Sequence, residues 1–257
     1  VQVFIKTLRF LFVVGGLFLG TAVCLPVSGH AQESKTADDY LKDALSDIQK
    51  QDYDHAMAKL NSALNLNDKL TQAYFHRGMI LSDKGEQDNA LKDFNKAAEV
   101  DPNYAPAYLG KGAIAFTKGN LDEALEMLSK AIDLDDKLGL AYYNRGVCYY
   151  YKRDLVNAEA DLKKASELGI KVEPELYEEV WTMTHLDEIL ADASKRIEAD
   201  AKDGEAYYNR GVAYYYKKDT AKALEDLQKA KELGAEVDDA LMAEIQGKSS
   251  EGEAPAK

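Results

Sequence analysis

The sequence is poor in the residues from which catalytic and metal centres are built. It holds four histidines and two cysteines in 257 residues. His55, His76 and His185 lie far apart, with no cysteine or carboxylate at ligand spacing, so no metal site is expected. No glycine-rich phosphate loop, nucleophile elbow or paired-histidine motif is present, which argues against an enzyme and against a cofactor. Positive charge is also short. The 32 Lys+Arg against 45 Asp+Glu leave a formal net charge of -13. Such a surface repels phosphate backbones and disfavours nucleic acid as a partner, and it repels anionic lipid headgroups as well. Carboxylate pairs such as Asp122-Glu123 and Glu178-Glu179 sit among lysines and read as solvated helix faces.

The two ends differ from the body. Lys6 and Arg9 precede a stretch, Phe10 through Ala31, without a charged residue, and small residues flank a cut after Ala31. Residues 1–31 read as a cleaved signal peptide, which places the protein in the periplasm or outside the cell. Two alternatives stay open. The apolar run of residues 10–27 is long enough to be an uncleaved membrane anchor, the one circumstance in which a membrane is a partner. Cys24 is a candidate lipidation site, although Thr21-Ala22-Val23 departs from the usual lipoprotein box. Cleavage leaves Cys148 as the sole cysteine and rules out an internal disulfide. Residues 247–257 contain no apolar side chain larger than alanine or proline and are expected to form a disordered tail.

Between the ends the chain repeats. Tyr40, Tyr74, Tyr108 and Tyr142 stand 34 residues apart, as do Ala56, Ala90, Ala124 and Ala158, and as do Gly78, Gly112 and Gly146. A fixed period of this size marks a solenoid whose units bury their apolar faces against their neighbours. Within residues 71–104, Tyr74, Gly78 and Leu81 share one helix face. Lys84-Gly85-Glu86 breaks the pattern, and Ala90, Leu91, Phe94, Ala97 and Ala98 form a second face. Asp101-Pro102 ends that second helix. Small residues at Gly78 and Ala90 let the paired helices approach closely.

Tyr74, Gly78, Leu81, Ala90, Phe94, Ala97 and Pro102 together resemble the signature of the tetratricopeptide repeat. Residues 105–138 and 139–172 carry the same pattern, and residues 37–70 carry it more loosely, with Asp43 and Asp47 at positions usually apolar or mixed. The resemblance implies an all-α, right-handed α-α superhelix: four repeats over 37–172, a degenerate repeat or inserted helical pair over 173–203, a further repeat over 204–237 and a capping helix over 238–246. The register slips between the fourth and last repeats. Gly211 follows Gly146 by 65 residues, three short of two periods. In the irregular stretch Trp181, with Leu176, Tyr177 and Val180, is expected to fill the core.

A second duplication overlies the first. The stretch from Tyr142 to Lys152 is closely matched by Tyr207 to Lys217, and a further helix follows each block, so a three-helix unit is duplicated. Tyr142, Tyr149, Tyr207 and Tyr214 occupy signature positions and belong to the core. At about 100° per residue, Tyr143, Tyr150, Tyr151, Tyr208, Tyr215 and Tyr216 cannot all point the same way, so several are expected to line the concave groove. Tyrosine, with a wide ring, a polar tip and few rotatable bonds, suits recognition. By the family resemblance, Asn144 and Asn209 are candidates to hydrogen-bond a peptide backbone, which an amide can do as donor and acceptor. Arg145 and Arg210 can pair a carboxylate. The expected function is therefore a non-enzymatic protein-interaction scaffold of the bacterial cell envelope, capturing a peptide or partner helix. Glycan binding is the alternative, since aromatic rings stack on sugars too.

Overall fold

The computed structural model describes residues 35–251. The signal-peptide, anchor and lipidation readings of residues 1–31 and the last part of the expected tail lie outside them. The described residues hold thirteen helices and no strand: α1 (Ala37–Gln49), α2 (Tyr53–Leu66), α3 (Thr71–Asp83), α4 (Gln87–Val100), α5 (Ala105–Thr117), α6 (Leu121–Leu134), α7 (Gly139–Tyr151), α8 (Leu155–Glu167), α9 (Pro174–Thr184), α10 (Leu186–Ala199), α11 (Gly204–Tyr216), α12 (Thr220–Glu232) and α13 (Asp239–Glu251). Helices α1/α2, α3/α4, α5/α6, α7/α8 and α11/α12 pack closely as pairs, and the second helix of each regular pair packs against the helix that follows it. This is the all-α solenoid that the 34-residue ladder implies. The last helix runs to Glu251, beyond the expected limit at residue 246. Extending an existing helix adds one hydrogen bond per residue fixed, so polar residues continue it at low cost.

The signature alanines Ala56, Ala90, Ala124, Ala158 and Ala223 are wholly buried, as are Leu60, Leu128, Leu162 and Leu227. A Cβ on Gly112 would stand 2.7 Å from Leu128 Cγ, closer than packed carbons approach, so only glycine lets α5 lie this near α6. Charge reinforces the apolar seam. Arg77, Arg145 and Arg210 each make two hydrogen bonds to the carboxylate sixteen residues on, at 2.7 Å for both to Asp93, 2.7 and 2.9 Å to Asp161, and 2.7 and 2.8 Å to Asp226. The fork geometry of guanidinium on carboxylate satisfies aspartates that are buried between helices. In the first repeat buried Asp47 is satisfied instead by Lys59, at 2.5 Å.

Each regular pair turns through three residues: Lys50-Gln51-Asp52, Lys84-Gly85-Glu86, Lys118-Gly119-Asn120, Lys152-Arg153-Asp154 and Lys217-Lys218-Asp219. The middle residue is left-handed in all five, with φ between 60° and 82°. Its neighbour closes the helix end, as when Glu86 N–H donates to the Leu81 carbonyl at 2.8 Å and Gly85 N–H to that of Ser82 at 2.9 Å. The turn lysine then reaches back to the first turn of the preceding second helix. Lys84 meets Asp54 at 2.7 Å, Lys118 meets Asp88 at 2.8 Å, Lys152 meets Asp122, and Lys217 meets Asp187 at 2.7 Å.

That ladder locates the missing three residues. Asp187 lies on α10 where Asp122 lies on α6, so α10 is a second helix of the repeat type. Helix α9 keeps the register of α7, with Val180 one period after Gly146. Helices α9 and α10 are joined by His185 alone, which ends α9 and begins α10. The three-residue turn has shrunk to one residue and α9 stops one residue earlier in the period than α7, which together make the deficit; α9 and α10 barely touch. In place of a glycine, α9 carries Val180, which is fully buried against Ala158 and Leu162 of α8. Helix α13 does the same with Ile245 against Ala223 and Leu227 of α12. Burying such a side chain is worth roughly 1.5–3 kcal/mol. Helix α9 therefore closes the first four repeats from inside the chain, as α13 closes the last.

Candidate functional site: the tyrosine face of α7, α9 and α11

The tyrosines converge on the face where α7, α9 and α11 succeed one another, and most of them are engaged there by the chain itself. The Tyr143 hydroxyl donates to Glu173 Oε2 at 2.7 Å and that of Tyr150 to Glu179 Oε1 at 2.9 Å. One block later the Tyr215 hydroxyl donates to Glu244 Oε1 on α13 at 2.8 Å. Tyr208 lies in the apolar cluster of α12 and α13. The four rings seat α9 and α13 against the preceding pair, and the hydroxyls of Tyr143, Tyr150 and Tyr215 bond carboxylates there. This differs from the expectation of open groove-lining rings at Tyr143, Tyr150, Tyr208 and Tyr215. The acceptors and apolar partners arrive from a helix some thirty residues away that fills the space beside them.

Burial sets the chemistry of these hydroxyls. It is the main cause raising Tyr150 to about 12, with the charge of Glu179 next, and the main cause raising Tyr216 to about 12, again with Glu179 next. Burial and then the hydrogen bond to Glu173 push Tyr143 up as well. All three stay protonated donors at physiological pH. Cys148, the one cysteine of the described residues, is fully buried, and desolvation raises its thiol to about 12. It is no nucleophile.

The asparagines part company. Asn144 is only 7% exposed, so it does not present its amide to an open groove. The equivalent residue one repeat earlier, Gly110, shows why: a Cβ there would lie 2.7 Å from the Phe94 ring of α4. The position faces the preceding repeat, and Asn144 is enclosed there. Asn209, on the last regular pair, is half-buried. Arg145 and Arg210 do pair carboxylates, but those of their own chain.

On this face two large rings remain open; Tyr53, on α2, is the third exposed ring among the described residues. Tyr151 is 43% exposed and stands edge-on to Phe116 of α5, with centroids 5.4 Å apart, and to Tyr150 at 5.7 Å. Trp181 is 39% exposed, which corrects the expectation that it fills the core. Val180 takes the buried place, and the indole stacks on His185 at 4.6 Å and 16°. The His185 Nδ1 lies 2.9 Å from the Trp181 carbonyl and 3.8 Å from a Glu159 oxygen, which fixes the ring that the indole covers. In the 34-residue register Trp181 holds the place of Met79, Ala113 and Val147, and Tyr151 and Tyr216 hold one common place at the ends of α7 and α11. Half-buried Tyr216 completes the row. Met79, Ala113 and Val147 are all buried, so the register carried no signal that Trp181 would be open. Among the described residues no group of three or more His, Cys, Asp or Glu is placed to hold a metal, and no helix is long and apolar enough to cross a membrane.

Family models described as tetratricopeptide repeat match residues 71–104, 105–138 and 204–234. No curated protein matches the sequence significantly. Among solved structures, a tetratricopeptide repeat protein from Parabacteroides merdae is 19% identical with a TM-score of 0.51, over 84% of this chain and 86% of that one. YrrB, a repeat protein with an unusual peptide-binding site, is 22% identical with a TM-score of 0.45, over 82% of this chain and 92% of that one. A thermophilic repeat protein from Thermus thermophilus is 17% identical with a TM-score of 0.48, over 84% and 98%.

Proposed function

Because this chain is a tetratricopeptide-repeat protein, we propose that it works without catalysis, as an interaction scaffold of the bacterial cell envelope that holds an extended segment or helix of a protein partner against the face of α7, α9 and α11. The observation that carries the reading is the exposure of Tyr151 and Trp181 in a row of first helices whose other tyrosines are engaged by the chain. An array that already satisfies its own seams gains nothing from leaving two large rings in water, whereas such rings are the usual anchors of an interface. The scaffold role also fits a fold whose continuous surface is built from stacked pairs. The envelope assignment rests on the charge-free stretch Phe10 to Ala31 after Lys6 and Arg9.

Selection from a random peptide library displayed on phage tests the face. The chain of residues 32–257 should enrich peptides that the Tyr151→Ala/Trp181→Ala variant fails to retain, with the helical circular dichroism of the two unchanged. Peptides retained equally by both would remove the face from consideration. The N-terminal mass of protein recovered from cells tests the compartment: a chain beginning at Gln32 is expected, and one still beginning at Val1 would mean an anchored protein.

A further inference from the structure

The proposed docking face has a charge character of its own. Helix α9 contributes Glu175, Glu178 and Glu179, with Glu173 at its N-cap, and no lysine or arginine. Glu173 and Glu179 accept from the tyrosine hydroxyls of α7. Glu178 is exposed, and among the described residues no lysine, arginine or histidine forms an ion pair with it. Two cations of α11 and its following turn are held by other carboxylates, and a third, Arg153, lies on the α7 side of the face. Arg210 is locked on Asp226, Lys217 on Asp187, and Arg153 lies over the Tyr150 ring at 5.8 Å. Helix α9 touches α11, which carries Tyr208 and Tyr216, and the charge of Glu178 adds slightly to the upward push on both hydroxyls. Trp181 follows three residues later on the same helix, one turn along.

Resting on the docking reading above, we propose that this face selects a basic partner segment, with an arginine or lysine side chain seated at Glu178 beside Tyr216 and the flanking residues of the segment lying on Trp181. A carboxylate bordered by aromatic rings is matched to a cation with an apolar stem: the head pairs with Glu178, and the stem and the cation both lie favourably on ring faces. An acidic segment would meet Glu175 and Glu178 with like charge. The wider surface points the same way, because a net charge of -13 draws basic chains and repels acidic ones before contact.

Trp181 is the single tryptophan of the chain, so its emission reports from the site itself. The probe is a pair of twelve-residue Gly/Ser peptides with one central leucine, carrying either two arginines three residues apart or citrulline, the neutral isostere, at those places. The arginine peptide should change Trp181 emission saturably, and the citrulline peptide should bind at least tenfold more weakly. Glu178→Gln should raise the dissociation constant of the arginine peptide at least fivefold. Glu123→Gln on α6, which removes the same charge elsewhere, should change it less than twofold. Equal titrations by the two peptides would overturn the selectivity while leaving the docking face standing. Equal effects of Glu178→Gln and Glu123→Gln would reduce the preference to overall charge and overturn the site. If neither peptide perturbs Trp181 and the library selection also fails, both the selectivity and the docking face fall.

Discussion

Single residues in this chain differ sharply in what they hold. Arg145 and Lys84 both make ion pairs at 2.7 Å, yet Arg145 meets an aspartate 6% exposed, whereas Lys84 meets a solvated one. Removing one partner of a buried pair leaves an uncompensated charge, so Arg145→Ala should cost about 3 kcal/mol in chemical denaturation. Lys84→Ala should cost under about 1 kcal/mol, since exposed pairs gain little against solvent and salt. His76 gives a pH signature. Burial lowers it from 6.5 to about 4, so between those values the unfolded chain binds a proton that the native chain refuses. Stability should therefore rise with pH across that window, by at most about 3 kcal/mol, and fall as the solution is acidified through it. Denaturation midpoints measured from pH 4 to 7 should show the slope, and His76→Leu should flatten it. At this scale the sequence was only partly legible. Residue type made Arg145 and Arg210 visible as partners for carboxylates, but helical angle alone could not tell whether Asn144 met a groove or a neighbouring helix, because a first helix of this fold touches several others.

The elements follow from a few recurring devices, and the same devices show what was readable. The 34-residue ladder of glycine and alanine marks where backbones must come close, so paired helices could be assigned from residue size alone. The three-residue deficit was equally plain in the spacing of Gly146 and Gly211, but its position was not, since apolar periodicity does not record which connection was shortened. The structure places it at the end of α9 and at His185, where a turn should lie. The tyrosine contacts with α9 and α13 were hidden for a related reason: their acceptors are surface-type glutamates that reveal nothing until the helices are packed. The turns that survive yield a prediction. Gln51, Arg153 and Lys218 adopt left-handed φ of 60–64° where Gly85 and Gly119 stand in other repeats. Such a conformation strains a side-chain-bearing residue, so Lys218→Gly should stabilise the protein by about 0.5–1 kcal/mol. A thermal melt with an unchanged or lower midpoint would count against strain at that turn.

At the scale of the whole molecule, the array is two blocks that end alike, the first closed by α9 and the second by α13. In a solenoid stability is transmitted between neighbours, so an internal closing helix lets one chain carry two ends and a junction between them. The junction is where the chain departs most from its own period, and it is also where Trp181 emerges from the packing beside uncompensated carboxylates. The central claim is that α9 is seated by Val180 and the tyrosines of α7 with its indole turned outward. Trp181 emission from the folded, ligand-free protein, with acrylamide as quencher, tests it most directly. A red-shifted, solvent-relaxed spectrum and efficient quenching are expected in the native state. A blue-shifted spectrum protected from acrylamide until the protein unfolds would mean that Trp181 is core, and the docking face would fall with it.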